Sequence, residues 1–370
     1  DPAIVPGDIA KSLLLQRISL PGDDEDVMPP KGGPLKPGQI DILKRWVNAG
    51  AKWPQGVELR SLTEKQFAMR EVARKKPVVE LSVLPPVINL ETKKDFHKLV
   101  VVARYSDDVT REVTAESSYV LSNSKVASLS QGTLRPLADG NATLAVTHRN
   151  QRVEVPVQVK GANTPRPVSF KLDVMPVFMR AGCNTGSCHG SARGQDGFML
   201  SLFGYDPDGD HFRITRELGT RRINLAIPEE SMLVEKPTET VPHTGGKLFH
   251  KGSSNWETIA QWLHDGAPKD PVDVTKPIGI EILPQSALLE GVGATQQMTV
   301  TARYSDGTDR DVTPLVVFQS NNDVSAAVDE HGLVTAGKRG EAFVVARFNV
   351  FTVGVPTMVS RIWSSARVIN

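Results

Sequence analysis

Two long stretches of the chain alternate apolar with polar residues, and they do so in the same order. LSVLPPVINLETKKDFHKLVVVARYSDDVTREVT, from Leu81 to Thr114, aligns without a gap on IEILPQSALLEGVGATQQMTVTARYSDGTDRDVT, from Ile280 to Thr313. Leu84-Pro85 falls on Leu283-Pro284, and the ARYSD at Ala103 on the ARYSD at Ala302. Downstream, SNSKVASLSQG parallels SNNDVSAAVDEHG, and the copies close on NATLAVTHRNQRVEVPVQV and EAFVVARFNVFTVGVPTMV. A period of two, rich in Val, Thr and Ile and broken by turn residues, predicts short antiparallel strands. YSDGTDRDV predicts a hairpin turning at Asp306-Gly307. Each copy spans roughly 80 residues, the size of a small β-sandwich. Neither contains a cysteine, so neither carries an inter-sheet disulfide.

A second, fainter repeat has the helical period. SLLLQRISLPGDDEDVMPPKGGPLKPGQIDILKRWVNAGA stands near the start, and SMLVEKPTETVPHTGGKLFHKGSSNWETIAQWLHDGA stands between the sandwiches. Each opens on Ser and an apolar triplet, passes through a Pro/Gly-rich loop, and ends in an amphipathic helix. The apolar faces are Ile40, Leu43, Trp46 and Val47 in one copy, and Ile259, Trp262 and Leu263 in the other. Gly50-Ala51 and Gly266-Ala267 supply the stops. LRSLTEKQFAMREVARKKP reads as a charged, helical connector. The domain order expected is therefore a helical half-module at 1–55, a linker at 56–78 and a sandwich at 79–160. A helical module at 161–276, a second sandwich at 277–358 and a tail at 359–370 follow.

Composition narrows the function classes. Lys and Arg number 43 against 42 Asp and Glu, a formal charge of +1, so no basic excess is available for phosphates and nucleic acid is not an expected partner. No apolar run approaches the length of a membrane helix. The chain begins at Asp1 without the basic and apolar regions of a signal peptide, and is read as a processed or truncated piece. No Ser/His/Asp set, readable carboxylate pair or phosphate loop points to a catalytic class.

Both cysteines stand in AGCNTGSCHG, where Cys183, Cys188 and His189 form C-x4-C-H. Three chemistries fit: covalent haem attachment, with two thiols on the vinyl groups and the histidine on iron; a disulfide closing a small loop; or a zinc site with one more ligand. Only haem attachment uses all three residues, since a disulfide leaves His189 unexplained and adjacent Cys and His diverge around a tetrahedral ion. His243, in VPHTGG, holds the repeat position that Met28 holds in the first helical copy, which makes it the candidate sixth ligand. Met199 and Met232 are the rivals, though both read as core filler. Arg221 and Arg222 are candidates for pairing with haem propionates or, equally, ordinary surface charges. His97, His148 and His331 are expected to be exposed; DPDGD before His211 is expected to be a turn.

The alternating copies resemble the bacterial Ig-like group 2 family in their DGT…DVT pattern, over 79–160 and 277–358. That resemblance implies sandwich spacers or adhesion-type modules and no catalytic residues. FMRAGCNTGSCHGSARGQDGFMLSLFGYDPDGD and ELGTRRINLAIPEESMLVEKPTETVPHTGG resemble the cytochrome-type module of large multidomain planctomycete proteins, over 165–270. Residues 1–55 resemble the C-terminal half of the cytochrome c domain that precedes such modules. These resemblances imply one covalent haem c and an extracytoplasmic location, in the periplasm or at the cell surface. Here the first module lacks its own haem cysteines, so Met28 has no haem to ligate within this chain.

The expectation drawn is a multidomain α plus all-β protein, with helical cytochrome-c-like modules alternating with Ig-like β-sandwiches. Its function is expected to be electron transfer through a haem ligated by His189 and His243, as an electron carrier more than a catalyst. Its partner is expected to be a redox protein or neighbouring cytochrome chain, and the missing N-terminal cytochrome half. The alternative is a structural or adhesion surface protein with a Cys183–Cys188 disulfide. A third reading is oxygen or peroxide chemistry at an open haem.

Overall fold

The computed structural model describes residues 3–22, 24–29, 35–52, 76–107 and 109–360. The charged connector within 56–75 and the tail from 361 lie outside the described residues. The chain divides into two compact units, 1–61 and 62–370.

In the first unit, helix α1 (Leu13–Ile18) and helix α2 (Pro37–Asn48) enclose a small core of Leu15, Ile18 and Val47. Pro37 opens α2 at a position where its missing N–H costs nothing. Leu43, Trp46 and Met28 pack half-buried on this core. Met28 is thus a packing residue of the α2 loop.

The second unit is built on two sandwiches of identical strand order. In the first, β1 (Val78–Leu84), β4 (Val100–Tyr105) and β5 (Thr110–Glu112) make one sheet, in the order β1-β4-β5. The second sheet runs β2-β10-β9-β6, from Ile88–Leu90 (β2), Gln151–Val159 (β10), Gly140–His148 (β9) and Ser118–Leu121 (β6). A third runs β3-β8-β7, from His97–Lys98 (β3), Thr133–Pro136 (β8) and Ala127–Ser130 (β7).

The second sandwich repeats these orders. β11 (Pro277–Leu283), β14 (Thr299–Tyr304) and β15 (Asp309–Asp311) match β1-β4-β5. β12 (Ala287–Glu290), β20 (Phe351–Ser360), β19 (Gly340–Phe348) and β16 (Val317–Ser320) match the four-stranded sheet. β13 (Thr295–Gln297), β18 (Leu333–Ala336) and β17 (Ala326–Val328) match the third. The register repeats as well: Val78 pairs with Tyr105 and Pro277 with Tyr304, each followed by a bulge. The expected hairpin joins β14 to β15, with Gly307 at φ +85°. That φ is readily adopted only by glycine.

Strand burial follows the alternation: β20 shows inward Val355, Thr357 and Val359 between outward neighbours. Each core buries one tyrosine, Tyr105 or Tyr304, with an arginine over its ring, Arg111 at 4.6 Å or Arg310 at 5.6 Å. The sandwiches also touch one another: β5 lies against β12 and β13, and β15 against β2 and β3.

Between them, residues 161–276 form an insert of short helices and loops. A π-helical turn (Phe170–Val174) runs into α3 (Met175–Arg180). α4 (Pro207–Thr215), α5 (Gly219–Arg222), α6 (Met232–Glu235) and α7 (Ser254–His264) follow. Trp262 is fully buried against Phe170, and its Nε1 donates to the carbonyl of Pro268 at 3.0 Å.

This architecture corrects the expected alternation of helical cytochrome-c-like modules with sandwiches. Among the described residues the regular structure is dominated by the two β-sandwiches, and the longest helices, α2 and α7, have 12 and 11 residues. The glycines and prolines spaced through 181–253 interrupt helix growth, so the insert's apolar residues reach its core largely from loops and single turns.

Two exposure expectations also fail. His97 and His148 are buried, at 2% and 3% exposure, because the inward phase of their strands falls on them. His331 is exposed, as expected. His211 sits on α4, stacked edge-on against Trp262, with Nε2 3.0 Å from the carbonyl of Ala267.

Candidate functional site

The C-x4-C-H segment follows α3 directly. Gly182, at φ +78°, turns the chain, and the Cys183 amide donates to the carbonyl of Phe178 at 2.9 Å. The loop then closes on itself: the His189 amide donates to Cys183 at 3.0 Å and the Gly190 amide to Thr185 at 3.0 Å. The Cys183 thiol lies in the core of the insert, and burial, aided by the neighbouring Cys188, pushes it up to about 12. Cys188 is half-buried. Both cysteines are free thiols, so the disulfide of the alternative reading is not formed here.

His189 lies half-buried beside Phe198, with ring centroids 4.7 Å apart and Nδ1 2.9 Å from that residue's carbonyl. Burial holds its pKa below the ordinary value, against the Phe198 hydrogen bond, and His243 and Lys236 add repulsion. His243 has Nδ1 2.8 Å from the Gly246 carbonyl, and the Gly246 amide donates back to the His243 carbonyl at 3.0 Å.

The structure brings Cys183, Cys188, His189, His243, Arg221 and Arg222 to one cavity of about 430 Å³. They do different things there. Arg222 is buried and committed: its guanidinium donates to the carbonyls of Arg213, Glu217 and Gly197 and lies 4.6 Å over the Phe198 ring. Arg221 is exposed. Met232 lines the same cavity, while Met199 is half-buried outside its lining.

The fit to a haem is poor. Cys183 is a core thiol held protonated, and Arg222 is already consumed by backbone carbonyls, which leaves no free guanidinium pair for propionates. Among the described residues no group of three or more His, Cys, Asp and Glu side chains is arranged to hold a metal ion.

Gly190 decides whether the loop can close. A Cβ there stands 2.2 Å from the Asn184 carbonyl oxygen, a backbone collision with no side chain to yield. In the native protein Cys188 should react with a small disulfide reagent, while Cys183 reacts more than ~10-fold more slowly because little of it is thiolate. In Gly190→Ala the two rates should converge. Equal rates in the native chain would show that Cys183 is not sequestered.

Sequence reasoning missed a charged network next to this loop. Asp210 is fully buried on α4 and accepts from the Ser201 amide at 2.6 Å, the Ser201 hydroxyl, and Arg213 Nη1 at 3.0 Å. Burial raises its pKa against those hydrogen bonds and the Arg213 charge. Nothing in DPDGD separates this buried carboxylate from half-buried Asp206 and exposed Asp208 except the helical spacing from Asp210 to Arg213.

Residues 279–350 match the model of the bacterial Ig-like domain, group 2. No curated protein sequence matches the chain. Among solved structures, domains 5–6 of the S-layer protein SbsC align over 77% of this chain and 100% of that one, at 11% identity and a TM-score of 0.30. Of the longer SbsC piece, domains 4–9, the chain covers 32%. Human protocadherin-24 EC1-2 aligns over 77% of this chain and 99% of that one, at 9% identity and a TM-score of 0.16. The D00-D0 domain of intimin aligns over 75% and 96%, at 10% identity and a TM-score of 0.17. These scores carry no argument about what the chain does.

The family match falls in the second sandwich and is to an Ig-like domain, not to a cytochrome. Together with the geometry above, this overturns the haem c cofactor, the cytochrome assignment and the electron-transfer function. The resemblance to Ig-like group 2 domains holds for the second copy.

Proposed function

We propose that the chain is a structural or adhesion protein of the bacterial surface, in which the Ig-like sandwiches act as spacer modules. The observation that supports this reading is the duplicated Ig-like fold: one copy matches the bacterial Ig-like model, and the other repeats its strand order and register. Arg222, beside the thiol loop, is spent on the carbonyls of Arg213, Glu217 and Gly197, which suits a structural insert.

Among the described residues no helix is long and apolar enough to cross a membrane. Labelling intact producing cells with a membrane-impermeant amine reagent tests the reading. Peptides from both sandwiches should carry the label without lysis. Label that appears only after the cells are broken open would reject a surface role.

A further inference from the structure

The contacts between the sandwiches are reciprocal. Lys98 and Gln297 occupy the same position of the two repeats, and so do Glu112 and Asp311. The Lys98 amide donates to Asp311 Oδ2 at 2.8 Å, and the Gln297 amide donates to Glu112 Oε2 at 2.6 Å. Lys98 Nζ donates to Gln297 Oε1 at 2.7 Å, so equivalent side chains meet each other, as they do on a two-fold axis. Around this centre Arg111 pairs with Glu290, and Asn89 donates to Asp309 at 3.0 Å. The two repeats therefore pair as the subunits of an isologous dimer pair, within one chain.

The symmetry is not complete. Arg310 stands where Arg111 does in the other repeat, but it is bound 2.8 Å from Asp173 of the insert. The insert also shares apolar packing with the second sandwich: Leu172 belongs to that sandwich's core, and Leu315 packs on the core of the insert. Among the described residues the core of the first sandwich takes in only Ala162 of the connector, and no residue of the second sandwich. A cleft of about 640 Å³ separates its Phe96 and Arg135 from Trp256 and Gln261 of the insert. Its connector to the insert, KGANTPRP, turns at Gly161 with φ +75° and carries two prolines. Polar, separable contacts of this kind are the ones across which domains move.

We propose that the first sandwich is an exchangeable element and that its partner is a second copy of this chain. Swinging out on the connector, the sandwich exposes a face built to pair with a second sandwich, and the second sandwich of another chain presents the same complement as its own. The exchanged dimer contains every contact of the closed monomer, so the two differ mainly in the tether, whose effective concentration is on the order of millimolar. Exchange is therefore expected when chains are concentrated, and it does not depend on the surface role proposed above.

The test uses the full chain carrying Lys98→Cys and Gln297→Cys, prepared with natural and with 15N-labelled nitrogen. The two forms are mixed, oxidised with glutathione disulfide, and digested, and the peptide linking positions 98 and 297 is weighed. Mixed-isotope linked peptide should be nearly absent at about 1 µM and reach a substantial share near 1 mM, the regime set by the tether. Same-isotope links alone at every concentration would overturn the proposal. Should the variant fail to fold, sedimentation of the native chain over the same range decides: a concentration-dependent dimer is expected, and a strict monomer overturns the exchange.

Discussion

Replacing Trp262 by Ala is expected to unfold the insert while leaving the sandwiches folded. The ring is fully buried, 5.1 Å from Phe170 and 5.9 Å from His211, and its Nε1 holds the Pro268 carbonyl. Truncating a core tryptophan costs about 3–5 kcal/mol through lost burial and the cavity left behind. Against a total stability of roughly 5–15 kcal/mol, that is enough to separate the melting of the insert from that of the rest. Denaturant unfolding followed by circular dichroism should turn from one step into two. Trp262→Phe keeps most of the packing and loses the hydrogen bond, so about 1–2 kcal/mol is expected. A Trp262→Ala protein within 1 kcal/mol of native would show that Trp262 does not anchor the insert's core.

Asp173→Ala is expected to cost a similar amount, about 3–5 kcal/mol, because it leaves a buried guanidinium without its partner. Asp173 and Arg310 are each 15% exposed in their side chains, and the Ser169 amide donates to the same carboxylate at 2.9 Å. Burial works to raise the Asp173 pKa, but the charges of Arg310 and Arg166 outweigh it and hold the group below its ordinary 3.8. A carboxyl depressed in the folded state stabilises most above its unfolded value. The gap between native and variant should therefore be constant from about pH 5 to 8 and close as pH falls below the ordinary carboxylate range. It should also resist salt, since the pair is shielded from solvent. The exposed Arg104–Glu80 pair, with 43% and 55% exposed side chains, is the control, expected to be worth under about 1 kcal/mol. A variant gap that widened toward acid would reject the ion-pair explanation.

How much could be read in advance differs sharply between the sandwiches and the insert. Period-two alternation, the Asp306-Gly307 turn and the gapless alignment of Leu81–Thr114 on Ile280–Thr313 gave two copies of one β fold, because strand burial has the same period as side-chain direction. The helical faces around Val47 and Trp262 were legible for the corresponding reason, with both residues fully buried. The phase errors at His97 and His148 show the limit of that logic: alternation predicts a face but not which residues near strand ends are drawn inward.

The thiol loop misled because C-x4-C-H is compatible with several chemistries, and spacing in sequence does not report burial. Cys183 became a core thiol once the chain turned at Gly182, and Arg222 became a support for three carbonyls once α5 was placed over Phe198. Local sequence thus determined the duplicated strands, their turns and the amphipathic helices, all of which depend on contacts a few residues apart or on a simple period. Only tertiary structure decided that the Asp311 carboxylate meets the Lys98 amide, and that Arg310 turns to Asp173 while its counterpart Arg111 turns to Glu290. Those pairings join residues far apart in the chain, and their energies depend on a burial that exists only after the domains have come together.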